Sequence, residues 1–232
     1  MMRLDVLTLF PGLFSGFLCE SIPKIAQEKG KADVRVHNIR DWSLNRHAKV
    51  DDRPFGGGPG MVMACQPIVD AVEAVAADGG ARGRLLFLTP EGRRFDQRTA
   101  VEFAAEERLI LVCGRYEGFD ERVFEILRPE RLSLGDFVLS GGEVAAMAVM
   151  DAVMRLLPGV LGCAGSAEED SFGSGILDYP HYTQPAEYRG LAVPDVLRGG
   201  NHALMDAWRR EKALERTRLF RPDLLGGPET GA

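Results

Sequence analysis

No run of apolar residues in this 232-residue chain approaches the roughly eighteen needed to cross a bilayer, which excludes a membrane-spanning helix. The apolar start, MMRLDVLTLFPGLF, is interrupted by Asp5 and cut short by Pro11. No small-x-small cleavage site follows, and Leu18-Cys19 fits a lipoprotein site poorly, so a cytosolic location is expected. The four cysteines (Cys19, Cys65, Cys113, Cys163) stand far apart with no C-x-x-C pair and no clustered histidine. That spacing argues against a disulfide framework or a zinc site and for reduced, mostly buried thiols. Positive charge is also scarce overall: 28 Lys and Arg against 34 Asp and Glu leave a net charge of −6. Non-specific coating of nucleic acid needs many basic contacts to phosphate, so any such contact must be local.

Two nucleotide signatures are missing as well. The glycine run Gly56-Gly57-Gly58-Pro59-Gly60 leads into Met-Val-Met, with no lysine to meet a terminal phosphate, so no P-loop is present. The first strand-like run ends in Phe10-Pro11-Gly12, where a dinucleotide fingerprint would need G-x-G-x-x-G. ATP hydrolysis and ordinary Rossmann cofactor binding therefore lose support.

What remains is an alternation of strand and helix signals. Residues 3–10 and 33–39 read as strands, and residues 84–89 (RLLFLT) and 108–113 (RLILVC) are nearly continuous apolar runs. Such runs suit central strands of a parallel sheet covered on both faces. Residues 67–77, 96–107 and 142–157 read as helices, with Asp96 placed to cap the second and Pro158-Gly159 ending the third. Together they predict an α/β domain with a mostly parallel sheet. Composition changes at Gly162: residues 162–175 (GCAGSAEEDSFGSG) are small, polar and acidic, and read as an interdomain linker ordered only by a partner. The expected division is residues 1–161, a linker 162–175, and a small helical domain 176–232. In the last, residues 194–221 read as a helix burying Leu204, Trp208, Leu214 and Leu219. Seven Lys and Arg between positions 198 and 221 face three acids. That segregated charge suits an RNA backbone, and equally a solvated helix face laced with local ion pairs.

Glycines gather after the later strands: Thr89-Pro90-Glu91-Gly92, then Gly114-Arg115-Tyr116-Glu117-Gly118, then residues 134–142 (LGDFVLSGG). In open α/β sheets ligands settle beyond the carboxyl ends of the strands, and glycine loops let backbone approach a flat ligand closely. With no lysine among them, a neutral or cationic adenosine derivative fits better than ATP.

Residues 47–63 (HAKVDDRPFGGGPGMVM), 113–118 (CGRYEG), 133–143 (SLGDFVLSGGE), 167–172 (AEEDSF) and 178–185 (DYPHYTQP), with the Trp208…Arg216-Thr217…Arg221-Pro222 tail, resemble the bacterial tRNA (guanine-N1)-methyltransferases of the SPOUT superfamily. The resemblance spans nearly the whole chain. It implies a C-terminal trefoil knot in the α/β domain, S-adenosylmethionine as methyl donor, and a homodimer with composite sites. The substrate it implies is the anticodon stem-loop of tRNA, methylated on the guanine just 3′ of the anticodon. Carried over residue by residue, it assigns the donor to Pro90, Gly114, Tyr116, Glu117, Leu134, Gly135, Asp136, Phe137, Val138, Leu139 and Gly141. The family often has Tyr where this chain has Phe137, so a hydroxyl contact is lost there.

The same resemblance implies that Asp170 removes the N1 proton of guanine and that Arg155 faces the carbonyl oxygen where negative charge gathers. Both roles suit the chemistry, since N1 is protonated at neutral pH and the anion needs a fixed cation. Glu168 and Glu169 would raise the pKa of Asp170. Plain alternatives are a solvated acidic run for Asp170 and an i,i+4 pair with Asp151 for Arg155. Mg²⁺ is implied for the chemical step, with Glu117 and Asp170 as candidate ligands. Asp178 is a candidate reader of the guanine edge, and Asp51, Asp52 and Arg53 a candidate rim for the anticodon loop, or simply a tight turn with a local ion pair. Cys113 reads as a buried strand residue, because a ring nitrogen attacks directly and needs no nucleophile. The competing readings are an RNA-binding protein of the same fold without catalysis and a nucleotide-hydrolysing module.

Overall fold

All six residues of the strand β6 (Arg108–Cys113) are buried, as the apolar run 109–113 demands of a strand covered on both faces. In the computed structural model, which describes residues 1–79, 83–162 and 170–226, β6 lies at the centre of a five-stranded sheet. Its companions are β1 (Met2–Thr8), β2 (Ala32–Asn38), β5 (Arg84–Arg94) and β7 (Glu130–Ser133), in the order β2-β1-β6-β5-β7. All four pairings are parallel. By its contacts the chain divides into two compact units, residues 1–162 and 163–232.

The two faces of the sheet follow the period-two alternation of its strands. Leu4, Val6, Leu86, Leu88, Leu109, Leu111 and Cys113 point into one core, filled by α6 (Glu143–Met154), by Phe14 from α1 (Phe14–Leu18), by Ala26 from α2 (Ser21–Glu28) and by Phe103 from α4 (Gln97–Ala104). Leu7, Phe87, Ile110 and Val112 point into the other, against α3 (Cys65–Ala77), Ile39, Val50 and Val123 of α5 (Arg122–Leu127). A small antiparallel pair, β3 (Asp51–Asp52) and β4 (Val62–Met63), lies between β2 and α3 in the chain.

Strand and helix ends fall close to expectation, and Asp96 caps α4 by accepting from Thr99 N at 2.8 Å. Two features differ. Strand β5 runs on to Arg94 because residues 89–92 leave the ladder and return: Leu88 and Arg93 both register on Leu132. Strand β7 has no sequence signal of its own, since Glu130 and Arg131 occupy half of its four positions. Their side chains are held in ion pairs, Glu130 with Arg84 and Arg93, Arg131 with Glu91 and Glu121.

The residue that breaks the N-terminal apolar run proves to be a fully buried charge. Asp5 accepts from Arg108 Nε at 2.8 Å and faces Arg3 Nε and His37 Nε2, each at 2.8 Å. Arg108 in turn donates to Val75 O at 2.6 Å, tying β6 to α3. Burial alone would raise the Asp5 pKa, but hydrogen bonds from His37, Arg3 and Arg108 outweigh it and hold the carboxyl at about 2, against an ordinary 3.8. A depressed acid contributes stability above its unfolded pKa and loses it as pH falls through the folded one, here between about pH 4 and pH 2. The contribution is about 2 kcal/mol. Urea unfolding across that range is expected to show it, and Asp5→Asn to remove this part of the pH dependence.

In the second unit the expected helix over 194–221 is shorter and begins later. Strands β8 (Glu187–Tyr188) and β9 (Leu191–Ala192) form a hairpin, and α7 runs from His202 to Phe220. Gly200, at φ +70°, separates it from the 3-10 turn at Asp195–Leu197, and Asn201 caps α7 by accepting from Leu204 N at 3.2 Å. The buried stripe is Ala213 and Thr217, with Trp208 and Leu214 half-buried, whereas Leu204 and Leu219 are exposed. Thr217 explains the difference. Its hydroxyl donates to Ala213 O and accepts from Leu177 N at 3.0 Å, turning that face of α7 onto residues 171–182. The basic segment is largely neutralised at short range: Arg198, Arg209, Lys212 and Arg221 pair with Asp195, Asp206, Glu215 and Asp223. Arg210, Arg216 and Arg218 make no ion pair among the described residues.

Candidate active site

The residue 89–92 excursion of β5 and the loops after β6 and β7 enclose a cavity of about 410 Å³. Its walls are residues 88–91, 114–119 and 132–142 without Asp136, closed by Glu121, Phe124 and Ala145. The volume falls in the range that holds a nucleoside-sized ligand.

Close backbone approach builds this hollow. A Cβ on Gly92 would lie 2.2 Å from Leu132 N, and one on Gly142 would lie 2.8 Å from Cys113 Cα. Main chain therefore packs on main chain at both seams, which no other residue permits. Gly142 N donates to Gly114 O at 2.8 Å, and Arg115 pairs with Gly141 in an antiparallel bridge. The turn at 115–118 closes with Gly118 N on Arg115 O at 3.0 Å and puts Tyr116 at φ +59°. A left-handed tyrosine costs on the order of 1 kcal/mol and persists only where its surroundings fix it.

Those surroundings include side chains to which the sequence assigned no role of their own. Glu143, the first residue of α6, is buried and accepts from Thr8 Oγ1 at 2.8 Å; its other oxygen faces Arg115 Nε at 3.4 Å. Arg115 Nη1 donates to Ser140 O at 2.7 Å, and its guanidinium lies 4.5 Å from the centre of the Phe10 ring. The end of β1, the loop after β6 and the start of α6 are thus fixed to one another behind the cavity. Across its mouth, Arg131 bridges Glu91 and Glu121. The remaining carboxylate of the lining, Glu117, makes no ion pair or side-chain hydrogen bond among the described residues. With no lysine in the walls, the free charge of the cavity is negative, which suits a cationic ligand and repels a polyphosphate.

Pro90, Gly114, Tyr116, Glu117, Leu134, Gly135, Phe137, Val138, Leu139 and Gly141 all line this cavity. Asp136 does not; its side chain turns outward to Arg94 Nη2 at 2.5 Å. Cys113 lies behind the wall, fully buried, and burial pushes its thiol well above the ordinary range, with the Glu143 carboxylate adding to the effect. That thiol is no nucleophile. Arg155 is the half-buried residue that ends α6 in the first unit, its N–H on Asp151 O at 3.2 Å. Asp170 is half-buried in the second unit, where its carbonyl accepts from Gly173 N at 3.0 Å. Glu168, Glu169 and Cys163 lie outside the described residues. The described part of the expected linker is a hydrogen-bonded turn: Phe172 N donates to Ile176 O and Asp178 N to Ser171 Oγ. Asp178 also holds His181 Nε2 at 2.7 Å. Asp52 accepts from Arg53 N at 2.8 Å and pairs with Lys49 at 3.0 Å.

A parallel sheet with a glycine-walled hollow of nucleoside size beyond adjacent strand ends defines the class, an α/β protein with a ligand-sized site where open sheets of this kind carry theirs. The particular family follows from comparison with known proteins. The family model for tRNA (guanine-1)-methyltransferase TrmD matches residues 2–227. Curated relatives named tRNA (guanine-N(1)-)-methyltransferase include those of Geobacter sulfurreducens, 56% identical over 224 residues, and Geobacillus kaustophilus, 54% identical over 224. Each alignment covers 97% of this chain and 91% of the relative. The Bacillus cereus relative is 52% identical, over 97% of this chain and 92% of its own length. The chain belongs to the tRNA (guanine-1)-methyltransferase family.

Proposed function

We propose that this protein methylates N1 of guanine in tRNA, at the guanine immediately 3′ of the anticodon, with S-adenosylmethionine as donor. The observation that carries the reading is the match of the family over residues 2–227 together with a cavity whose walls are the glycine loops of that same span. The donor fits these walls: glycine backbone for a flat adenine, and Glu117 facing a molecule that carries positive charge. When bound, S-adenosylmethionine supplies an electrophilic methyl group on a sulfonium.

The rest of the chemistry belongs to the chain. Asp170 takes the proton from guanine N1, freeing the lone pair that attacks. Arg155 offsets the negative charge that then gathers on the guanine oxygen. The three loops hold the reacting atoms in line, a matter of orientation rather than covalent catalysis. Asp178 and the turn at Asp51, Asp52 and Arg53 contact the RNA, and the cations left unpaired on α7, Arg210, Arg216 and Arg218, meet its phosphates.

Exposed apolar side chains at and beside the cavity mouth, among them Phe137, Val138 and Val144, support a homodimer in which the partner covers this rim. In that arrangement Asp170 of one subunit serves the donor site of the other, and residues 162–175 act as the linker between domains 1–161 and 176–232. The trefoil knot is supported by the path of residues 134–142, which leave β7 at the sheet edge and return against Cys113 and Gly114 before α6 begins. No described helix is long and apolar enough to cross a membrane, and a tRNA substrate fits a cytoplasmic location. Among the described residues no three His, Cys, Asp or Glu side chains gather into a metal cluster. Glu117 and Asp170 would hold Mg²⁺ together with water, an ion that would offset negative charge in the chemical step.

Calorimetry tests the donor assignment. S-adenosylmethionine is expected to bind one site per chain while ATP with Mg²⁺ gives no heat; the reverse preference would turn the reading to nucleotide hydrolysis.

A further inference from the structure

Asp178 is half-buried in the second unit, and its main chain is anchored twice. Asp178 N donates to Ser171 Oγ at 3.0 Å, and the preceding Leu177 N donates to Thr217 Oγ1 of α7, also at 3.0 Å. Ser171 follows Asp170, whose carbonyl closes the turn on Gly173 N. The proposed base and the proposed reader of the guanine edge therefore stand on one hydrogen-bonded turn.

A fixed main chain does not fix a carboxylate. The last torsion of aspartate is broad, so the plane of the group turns unless both oxygens are held. Tyr179 N donates to Asp178 Oδ1 at 2.7 Å and holds one of them. His181 Nε2 lies 2.7 Å from Oδ2 and holds the other. Carboxylate oxygens only accept, so Nε2 carries the hydrogen of this bond. An ionised carboxylate has about four acceptor positions, and these two contacts leave one on each oxygen for a ligand. His181 is steadied in turn, although its side chain is 64% exposed. Its ring centre lies 4.6 Å from that of Tyr179, and the Arg209 guanidinium of α7 lies 5.1 Å from the Tyr179 ring. An exposed pair of this kind contributes little to stability. What it sets is the direction of the Asp178 carboxylate.

We infer that His181 is a positioning residue for guanine recognition: it locks the Asp178 carboxylate in the plane that accepts from the exocyclic amino group of the target guanine. This rests on the proposed role of Asp178 and deepens it. The amino group is the feature that separates guanine from hypoxanthine, and a donor of fixed geometry is read well only by an acceptor of fixed geometry.

The test is single-turnover methylation, with protein in excess, of two unmodified anticodon stem-loops carrying guanosine or inosine at the target position. Inosine keeps N1 and the carbonyl oxygen but lacks the amino group. The unaltered protein is expected to prefer guanosine by about tenfold or more in second-order rate constant, the range for a hydrogen bond to a charged group. His181→Ala should lower the constant for guanosine about tenfold and that for inosine by no more than about twofold, so that the preference collapses. His181→Gln, whose amide N–H reaches the place of Nε2, should restore it. His181→Phe keeps a ring against Tyr179 without the donor and should behave as His181→Ala. Thermal melting of each variant checks the fold. Equal losses on both loops in His181→Ala overturn the inference by making the residue structural, and so does rescue by phenylalanine in place of glutamine. Asp178→Ala separates the inference from its premise. If that variant keeps the preference, Asp178 does not read the amino group and the inference falls with that role. If it loses the preference while His181→Ala keeps it, the inference alone falls. Methylation of neither loop by the unaltered protein would sink the function itself, and the inference with it.

Discussion

Asp170→Asn is expected to lower the single-turnover rate of methyl transfer on the order of 10³-fold while leaving donor affinity within about twofold. Guanine N1 carries its proton at neutral pH, so its lone pair is unavailable until a base removes it. Asparagine has nearly the shape of aspartate but cannot take that proton. Asparagine keeps the main-chain contact of Asp170, whose carbonyl accepts from Gly173 N. Nor does Asp170 belong to the cavity walls, which come from the first unit, so the donor should bind as before. Rapid-quench kinetics at saturating donor and RNA measure the rate, and calorimetry measures the affinity. Normal turnover in this variant would remove Asp170 from the mechanism. Equal losses in rate and in donor affinity would make it a structural residue.

The second large effect concerns Gly92, where one methyl group should undo the cavity. A Cβ there would lie 2.2 Å from Leu132 N and 2.4 Å from Arg131 C. Both are main-chain atoms of β7, which is paired to β5 on either side of the residue 89–92 excursion. Neither can rotate away as a flexible side chain would. Relief requires β7 to shift or residues 89–92 to move outward, and either opens the seam between two walls of the cavity. Gly92→Ala is expected to cost about 3 kcal/mol or more in urea unfolding and to abolish measurable donor binding. Gly12→Ala is the control. Nothing lies within 4 Å of its Cβ position, and its effect should stay within about 0.5 kcal/mol. A stable Gly92→Ala that binds donor normally would show that the contact between β7 and residues 89–92 does not set the site.

Much of the frame could be read before any coordinates. The first half of β5 and strand β6 announce themselves through the apolar runs 85–88 and 109–113 that coverage on both faces demands, and the glycine loops because backbone approach leaves few alternatives to glycine. Strand β7 was illegible for the opposite reason: it is short, and half of it is Glu130 and Arg131, whose ion pairs are made with residues distant in the chain. The side chains that fix the back of the cavity were hidden in the same way. Thr8 and Glu143 are 135 positions apart, and neither has a local pattern that distinguishes it from an ordinary strand end or helix start. Arg115 was visible only as part of a glycine loop, whereas its work is to join Ser140, Glu143 and Phe10. The late start of α7 was foreshadowed by Gly199-Gly200, which the helical spacing of 194–221 obscured. Which face of α7 is buried depends on Thr217, a polar residue that hydrophobic periodicity passes over.

The most direct test of the account is to methylate unmodified tRNA with this protein and S-adenosylmethionine, digest the product, and map the modified base by mass spectrometry. The account predicts a single N1-methylguanosine, immediately 3′ of the anticodon, formed by the protein and not by Asp170→Asn. A methyl group on another atom or another position, or the same product from Asp170→Asn, would contradict it.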